Sequence, residues 1–298
     1  MMVIGSRGSQ LALWQARHIA AKLAEHGVET RIEIIKTTGD KITDVPLAQA
    51  GGKGLFTKEI EEPLIAGTID LAVHSLKDVP ADLPSGLMLA AFPEREEPRD
   101  ALIGRPLSQL REGSRIGTSS LRRAAQLKAL GRGILIETLR GNVDTRLRKL
   151  DEGRYDAIVL AAAGLRRLGW SDRVAELLPV EIMCPAVGQG SLAIETRQDG
   201  GAAAELIRGL DHTETRKAVT AERALLASLG GGCQVPIGGH AILHAGEVHL
   251  RAIVASPGGE RIVRGELSGA DPTEVGSELG RRLLKQGARE ILDEVYAA

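Results

Sequence analysis

Aromatic side chains are almost missing from this chain of 298 residues, at 2% of the total. Its cores must be filled by Leu, Ile, Val and Ala, and the scarcity argues against single-stranded nucleic-acid binding, which relies on stacking platforms. Cysteine is as sparse: Cys184 and Cys233 are the only two, so no disulfide framework is implied. Charge of one sign is lacking too. The net charge is −1 and the pI near 6.7, so no overall field draws polyanions and any anion recognition must come from locally clustered bases. No apolar run reaches spanning length. The N-terminal Met-Met-Val-Ile-Gly-Ser-Arg-Gly-Ser lacks the regions of a signal peptide, which predicts a cytoplasmic protein.

What is present is a globular composition, 43% hydrophobic and 26% charged, in a length that holds two or three domains. Residues 1–92 alternate β-rich runs with helical patterns. Val3-Ile4 reads as a strand. Ser9 caps a helix with Leu11, Trp14, Ile19 and Leu23 on one face, ended at Gly27. Arg31–Lys36, Ile69–His74 and Leu87–Ala91 read as strands and Thr57–Ala66 as a helix. The polar, proline-bounded segment from Phe92 to Asp100 is a hinge candidate.

The pattern then restarts. Ala101–Ile103, Arg115–Gly117, Ile134–Thr138 and Ala157–Ala161 read as strands, with Ser119–Leu130 and Asn142–Asp151 as capped helices. This alternation predicts two α/β domains with mainly parallel sheets. The Gly/Pro-rich run from Cys184 to Gly190 is a second break. From about residue 211 the grammar changes. A helix over Thr213–Leu229 leads to strand-like runs His240–His244, Glu247–Ala255 and Arg261–Leu267. A long helix over Pro272–Tyr296, broken near Gly287, closes the chain. That predicts a C-terminal α+β unit with an antiparallel sheet.

Cys233 stands out within this third unit. Three glycines precede it and Val-Pro follows, so a sulfur is offered on a bare, stiffened loop. No Lys, Arg or His lies within 228–239 to lower the thiol pKa, which points to a place of attachment more than to a catalytic thiolate. The plainer reading is a buried cysteine behind a glycine turn.

Basic residues gather at element starts: Arg7 with Ser9, Lys53 in Gly51-Gly52-Lys53-Gly54, Arg122 and Arg123 in Gly117-Thr-Ser-Ser-Leu-Arg-Arg, and Arg140 and Arg146 in Leu139-Arg-Gly-Asn-Val-Asp-Thr-Arg. In open α/β sheets ligands lie beyond the carboxyl ends of strands, where helix N-termini present free N–H groups. Arginine there opposes the helix dipole and calls for an anion, a carboxylate or a phosphate. Any one of these arginines also reads as a solvated helix face; four loops of one design weaken that reading. Lys53 does not belong to a P-loop, because Gly54 stands where Ser or Thr is needed. The Ser-Ser-Leu-Arg-Arg helix has no second helix-turn-helix element beside it. Asp78, in His74-Ser-Leu-Lys-Asp-Val-Pro80, follows a buried strand at the end where catalytic groups sit, though an Asp there also serves as a turn residue. His240, His244 and His249 share a hairpin without ligand-like spacing, so no metal is expected.

Taken in order, these segments resemble the porphobilinogen deaminase (hydroxymethylbilane synthase) family. The likeness runs through Ser6–Gln15, Gly51–Phe56, His74–Pro80, Gly117–Arg123, Leu139–Arg146, Pro185–Gly190 and Gly230–Gly238. It implies two periplasmic-binding-protein-like α/β domains and a C-terminal α+β domain: residues 1–93 with 190–208, residues 99–184, and residues 211–298. It implies a cytoplasmic, monomeric transferase that condenses four molecules of the small substrate porphobilinogen into hydroxymethylbilane with release of ammonia. The resemblance further implies that neither nucleic acid nor membrane is involved and that a dipyrromethane cofactor is joined to Cys233 by a thioether. Ser75, Lys77, Asp78, Thr118, Ser119, Arg122, Arg123, Arg140, Arg146, Gln189 and Lys53 match cofactor-binding positions. Arg7, Ser9, Arg140, Arg146 and Arg167 match substrate-binding ones, and Asp78 matches the catalytic carboxylate. Gln49, where some relatives carry lysine, is a departure that touches only a secondary contact. The acetate and propionate on each pyrrole explain arginine loops in a protein of neutral net charge. Loss of ammonia leaves a cationic pyrrole that Asp78 is placed to face. Two other readings are a two-lobed solute receptor and an arginine-rich nucleic-acid binder; the lone Cys loop speaks against the first.

Overall fold

The computed structural model describes residues 1–41, 57–199, 201–230 and 235–297. Lys53, Gln49 and Cys233 lie outside the described residues. In chain order the elements are β1 (Met2–Ser6), α1 (Gln10–Ala24), β2 (Thr30–Ile34), α2 (Thr38–Lys41), α3 (Lys58–Ile65), β3 (Leu71–Ser75), β4 (Leu87–Ala91), β5 (Asp100–Gly104), β6 (Arg115–Gly117), α4 (Leu121–Lys128), β7 (Leu135–Glu137), α5 (Val143–Asp151), β8 (Ala157–Ala161), α6 (Ala162–Arg167), β9 (Val174–Leu177), β10 (Leu192–Arg197), α7 (Gly201–Arg208), α8 (Thr213–Ser228), β11 (Ile237–His244), β12 (Glu247–Ala255), β13 (Ile262–Gly269), α9 (Pro272–Leu283) and α10 (Arg289–Ala297). They form two compact units, residues 1–96 with 191–216 and residues 97–190 with 217–298.

The first unit holds a five-stranded sheet in the order β2-β1-β3-β10-β4. Strand β3 reads Leu-Ala-Val-His and is buried through those four residues, as expected of a strand covered on both faces. One face packs Ile4, Leu71, Val73 and Ile194 against Ile19 and Leu23 of α1. The other packs Ala72 and Leu87 against Ile60 and Leu64 of α3. Each such side chain contributes about 1.5–3 kcal/mol on burial. Ser9 caps α1 as expected, its Oγ accepting from the Ala12 N–H at 3.3 Å.

The second unit contains a five-stranded sheet in the order β7-β6-β8-β5-β9 and a separate three-stranded sheet β11-β12-β13. The larger sheet is again covered on both faces, by clusters around Leu102, Ile116 and Leu127 and around Ile103, Ile158 and Leu165. In the smaller sheet all pairings are antiparallel, and Ala245-Gly246, both at positive φ, make the two-residue turn between β11 and β12. Helices α8, α9 and α10 bury its inner face around Leu225, Leu250, Leu279 and Ile291. The break near Gly287 is where it was expected: that glycine has φ 104, which separates α9 from α10.

The α/β class holds, but mainly parallel sheets are not what forms. In each large sheet two strand pairings are parallel and two antiparallel. The antiparallel members are β10 and β5, with their neighbours. Both are entered as the chain passes from one unit to the other, not through a helix crossing its own sheet, so the crossover that enforces parallel pairing is absent. Sequence reading had no element for α2, α6, β9, β10 or α7. Most are short, and β9 is only half-buried, so their hydrophobic period is weak.

Candidate active site

In the first unit the sequence-expected residues collect at the carboxyl edge of the neighbouring parallel strands β1 and β3. Arg7 directly follows β1 and is half-buried, and Ser9 keeps its hydroxyl hydrogen while its oxygen caps α1. Strand β3 ends at Ser75 and passes into a single 3₁₀ turn, Leu76–Asp78. Leu76 and Val79, 1% and 2% exposed, sink into the core and leave Lys77 and Asp78 half-buried between them. The turn is tied down from several sides. The Leu76 N–H donates to Ser191 O at 3.0 Å, and Val79 N–H to Leu76 O at 3.0 Å. Gln15 of α1, itself buried, donates from Nε2 to Ser75 Oγ at 2.8 Å. The Ser75 hydroxyl is thereby left its own hydrogen to give. On the opposite face of β3, the buried His74 Nε2 lies 3.0 Å from Glu195 Oε2.

In the second unit the corresponding edge belongs to the parallel pair β6 and β7. Thr118 N–H donates to Glu137 O at 2.9 Å and Ser119 Oγ to Leu139 O at 2.8 Å, which ties the loop after β6 to the loop after β7. Ser120 caps α4, and the next residues in its first turn include Arg122 and Arg123. Both guanidinium groups converge on Asp100, at the start of β5 and fully buried. Arg122 Nη1 is 2.8 Å from Oδ2. Arg123 reaches Oδ1 with Nε at 3.0 Å and Nη2 at 2.7 Å, and its Nη1 donates to Val159 O at 3.0 Å. Burial by itself would raise the Asp100 pKa; the two guanidiniums outweigh it and hold the carboxyl well below the usual carboxylate range.

The two arginines differ in what they have left. Arg123 is deeply committed to Asp100 and Val159, whereas Arg122 uses only Nη1, on Asp100 and on Cys184 O at 2.6 Å. No described residue takes its Nε or Nη2 hydrogens. Gln189, 1% exposed, joins the same knot, with Nε2 donating to Asp100 Oδ1 at 3.0 Å and to Pro98 O at 2.7 Å. Arg167 Nη2 donates to Gly190 O at 2.6 Å. Arg146 Nε donates to Gly141 O at 2.7 Å. Arg140 is the informative case: its Nη1 is sealed from solvent and meets no hydrogen-bond partner among the described residues. An uncompensated buried guanidinium nitrogen is costly, and an incoming carboxylate removes that cost. The donor set therefore fits a polycarboxylate cofactor.

Cys184 is fully buried, and burial pushes its thiol up to about 12. It is closed to modification. Sequence reasoning missed Asp100, whose signal was a charge opening the apolar run Ala101–Ile103; it had been absorbed into the hinge segment. It also missed Gln15 and Gln126, polar residues on helix faces that carry no sequence signal of burial. Among the described residues no His, Cys, Asp and Glu cluster suits a metal, and no helix is long and apolar enough to cross a membrane.

Residues 2–205 match the family model described as porphobilinogen deaminase, dipyromethane cofactor binding domain, and residues 216–285 match porphobilinogen deaminase, C-terminal domain. The chain is 52% identical over 302 residues to the porphobilinogen deaminase of Syntrophobacter fumaroxidans, covering 99% of this chain and 98% of that protein. It is 53% identical over 306 residues to the enzyme of the same name from Nitratidesulfovibrio vulgaris, covering 100% and 97%. Among solved structures, a periplasmic substrate-binding protein of an ABC transporter from Coxiella burnetii aligns at 15% identity and TM-score 0.43, over 70% of this chain and 92% of that one.

Proposed function

Because this chain belongs to the porphobilinogen deaminase family, we propose a residue-level assignment of that family's chemistry to it. The activity itself follows from membership: the enzyme is a transferase that condenses four porphobilinogen molecules into hydroxymethylbilane, with loss of ammonia, using a dipyrromethane cofactor in tetrapyrrole synthesis. When bound, that cofactor supplies the pyrrole to which substrate units are added.

Cys233 is the attachment point. Its only rival, Cys184, is fully buried with its thiol pushed up to about 12. Arg140, with a buried Nη1 lacking a partner among the described residues, receives a cofactor or substrate carboxylate, and this is the observation that carries the assignment. Arg122 offers Nε and Nη2 to another carboxylate while Asp100 and Cys184 hold its Nη1. Arg123 contacts the cofactor with the hydrogens that Asp100 and Val159 leave on its two Nη atoms. Thr118, Ser119, Ser75, Lys77, Lys53 and Gln189 complete the cofactor's polar surroundings, and Arg7, Ser9, Arg146 and Arg167 those of the substrate.

Asp78 stabilises the cationic pyrrole left as porphobilinogen loses ammonia, and it moves protons at the pyrrole nitrogen. A carboxylate at about 4 Å in an effective dielectric of ~20 contributes at most roughly 4 kcal/mol. That corresponds to up to ~10³ in rate. The fixed turn supports this role, since Leu76 and Val79 in the core and Gln15 on Ser75 hold the backbone that carries Asp78 in place.

The enzyme works in the cytoplasm as a monomer, without a nucleic-acid partner; burial of Arg122 and Arg123 on Asp100 supports the last point. Three domains, residues 1–93 with 190–208, 99–184 and 211–298, are supported by three separate sheets. Intact-protein mass spectrometry tests the attachment. The wild type and Cys184→Ala should both exceed their polypeptide mass by one dipyrrole, and Cys233→Ser should not. A bare wild-type mass removes the assignment.

A further inference from the structure

The geometry points to Gln126 as a positioning residue that, through the Cys184–Pro185 peptide, ties Arg122 to strand β11 and so to the flank of the Cys233 segment. This rests on reading Arg122 as a cofactor-carboxylate arm and Cys233 as the attachment point.

Gln126 sits one helical turn after Arg122 in α4 and is 2% exposed. Its amide engages both backbone groups of one residue: Oε1 accepts from the Cys184 N–H at 2.8 Å and Nε2 donates to Cys184 O at 3.1 Å. The pairing works in only one orientation of the amide, because a flip sets donor against donor and acceptor against acceptor. Cys184 O is also the oxygen that holds Arg122 Nη1. Gln126 therefore fixes the carbonyl from which Arg122 hangs.

The other side of the same peptide meets β11. A Cβ on Gly238 would stand 3.0 Å from both Cys184 Cβ and Cys184 O, so contact this close requires glycine for space, not for its dihedral angles. The next residue, Gly239, donates its N–H to Pro185 O at 2.9 Å. Strand β11 opens at Ile237, which like Val235 is buried in the C-terminal core; the two lie four and two residues beyond Cys233. Glu222 adds a parallel clamp, accepting from Gly188 N–H and Ala241 N–H, each at 2.7 Å. Displacement of β11 thus moves the Cys184 carbonyl and the arm it anchors.

The test reads the stability that the bound cofactor adds. For each background, the melting temperature of adduct-bearing protein is compared with that of the same protein carrying Cys233→Ser, adduct content being checked by intact mass. Contacts to the cofactor appear as the difference, because the tethered group is present in the folded and the unfolded chain alike but makes its contacts only in the folded one. Gln126→Met keeps length and helix propensity but removes the amide and with it both bonds to Cys184, along with the Nε2 contacts to Arg122 O and Met183 Sδ; it should cut that difference by about half, as should Arg122→Lys, and the pair together no further than Arg122→Lys alone. A merely structural Gln126 lowers both proteins equally and leaves the difference intact, which overturns the inference. So do independent, additive losses in the double variant. If Arg122→Lys leaves the difference unchanged, the cofactor-arm reading of Arg122 fails first and the inference falls with it. Should Gln126→Met fail to fold, Gln126→Leu serves: it too offers no partner to Cys184 N–H or Cys184 O, and is expected to show the same loss.

Discussion

Arg123 grips a single oxygen of Asp100 with two nitrogens, Nε at 3.0 Å and Nη2 at 2.7 Å, where the carboxylate is fully buried. Arg122 takes the other oxygen. A buried anion with two guanidiniums stays ionised and holds both arms at fixed angles, so part of each arginine is structural before any ligand arrives.

Asp100→Asn should therefore be severe. It leaves two buried cations facing a neutral amide, and breaking such a pair costs about 3–5 kcal/mol. Urea unfolding should show the midpoint falling with little change in slope.

The same residue sets part of the acid limb. Its folded pKa lies below the ordinary 3.8, so its stabilisation is complete above the unfolded value and drains as pH falls toward the folded one. Wild-type stability should decline below about pH 4, with up to about 1.4 kcal/mol per pH unit from this one group. In Asp100→Asn that portion of the slope should be gone; an identical acid limb in the two proteins contradicts the ion-pair account.

Cys184 should be silent in the native state. In Cys233→Ser, iodoacetamide at pH 8 should label no cysteine until denaturant is added, and then one, because burial both shields the sulfur and pushes its thiol up to about 12. Fast native labelling at Cys184 would mean that the second unit opens there.

Asp78→Asn should keep the dipyrrole mass and lose turnover by about 10²–10³, as expected when one carboxylate's stabilisation of a developing cation is removed. Turnover within about three-fold of wild type rules out the role given to Asp78.

Much of the fold was legible because hydrophobic period and caps are local signals. Strands β4, β6 and β8 fall where the apolar runs lie, Ser9 caps α1, and Gly287 breaks the last helix. The site's outline was legible for a related reason: arginines in the first turn of a helix oppose its dipole, so their presence announces a ligand or a buried anion. Which of the two it is cannot be read along the chain. Asp100 is 22 residues from Arg122 and 23 from Arg123, and nothing local pairs them. Gln126 and Cys184 are 58 apart.

Composition and motif order determined the class of core, the reliance on arginine and the restriction of any thiol attachment to two cysteines, since these depend on what the residues are and how they are spaced. Tertiary structure alone decided strand direction in the two mixed sheets, the burial of Cys184, and how much of Arg122, Arg123 and Arg140 remains for a ligand. Each of those turns on groups far apart in sequence meeting in a low-dielectric interior, where a charge without a partner is costly and so every hydrogen bond must be accounted for.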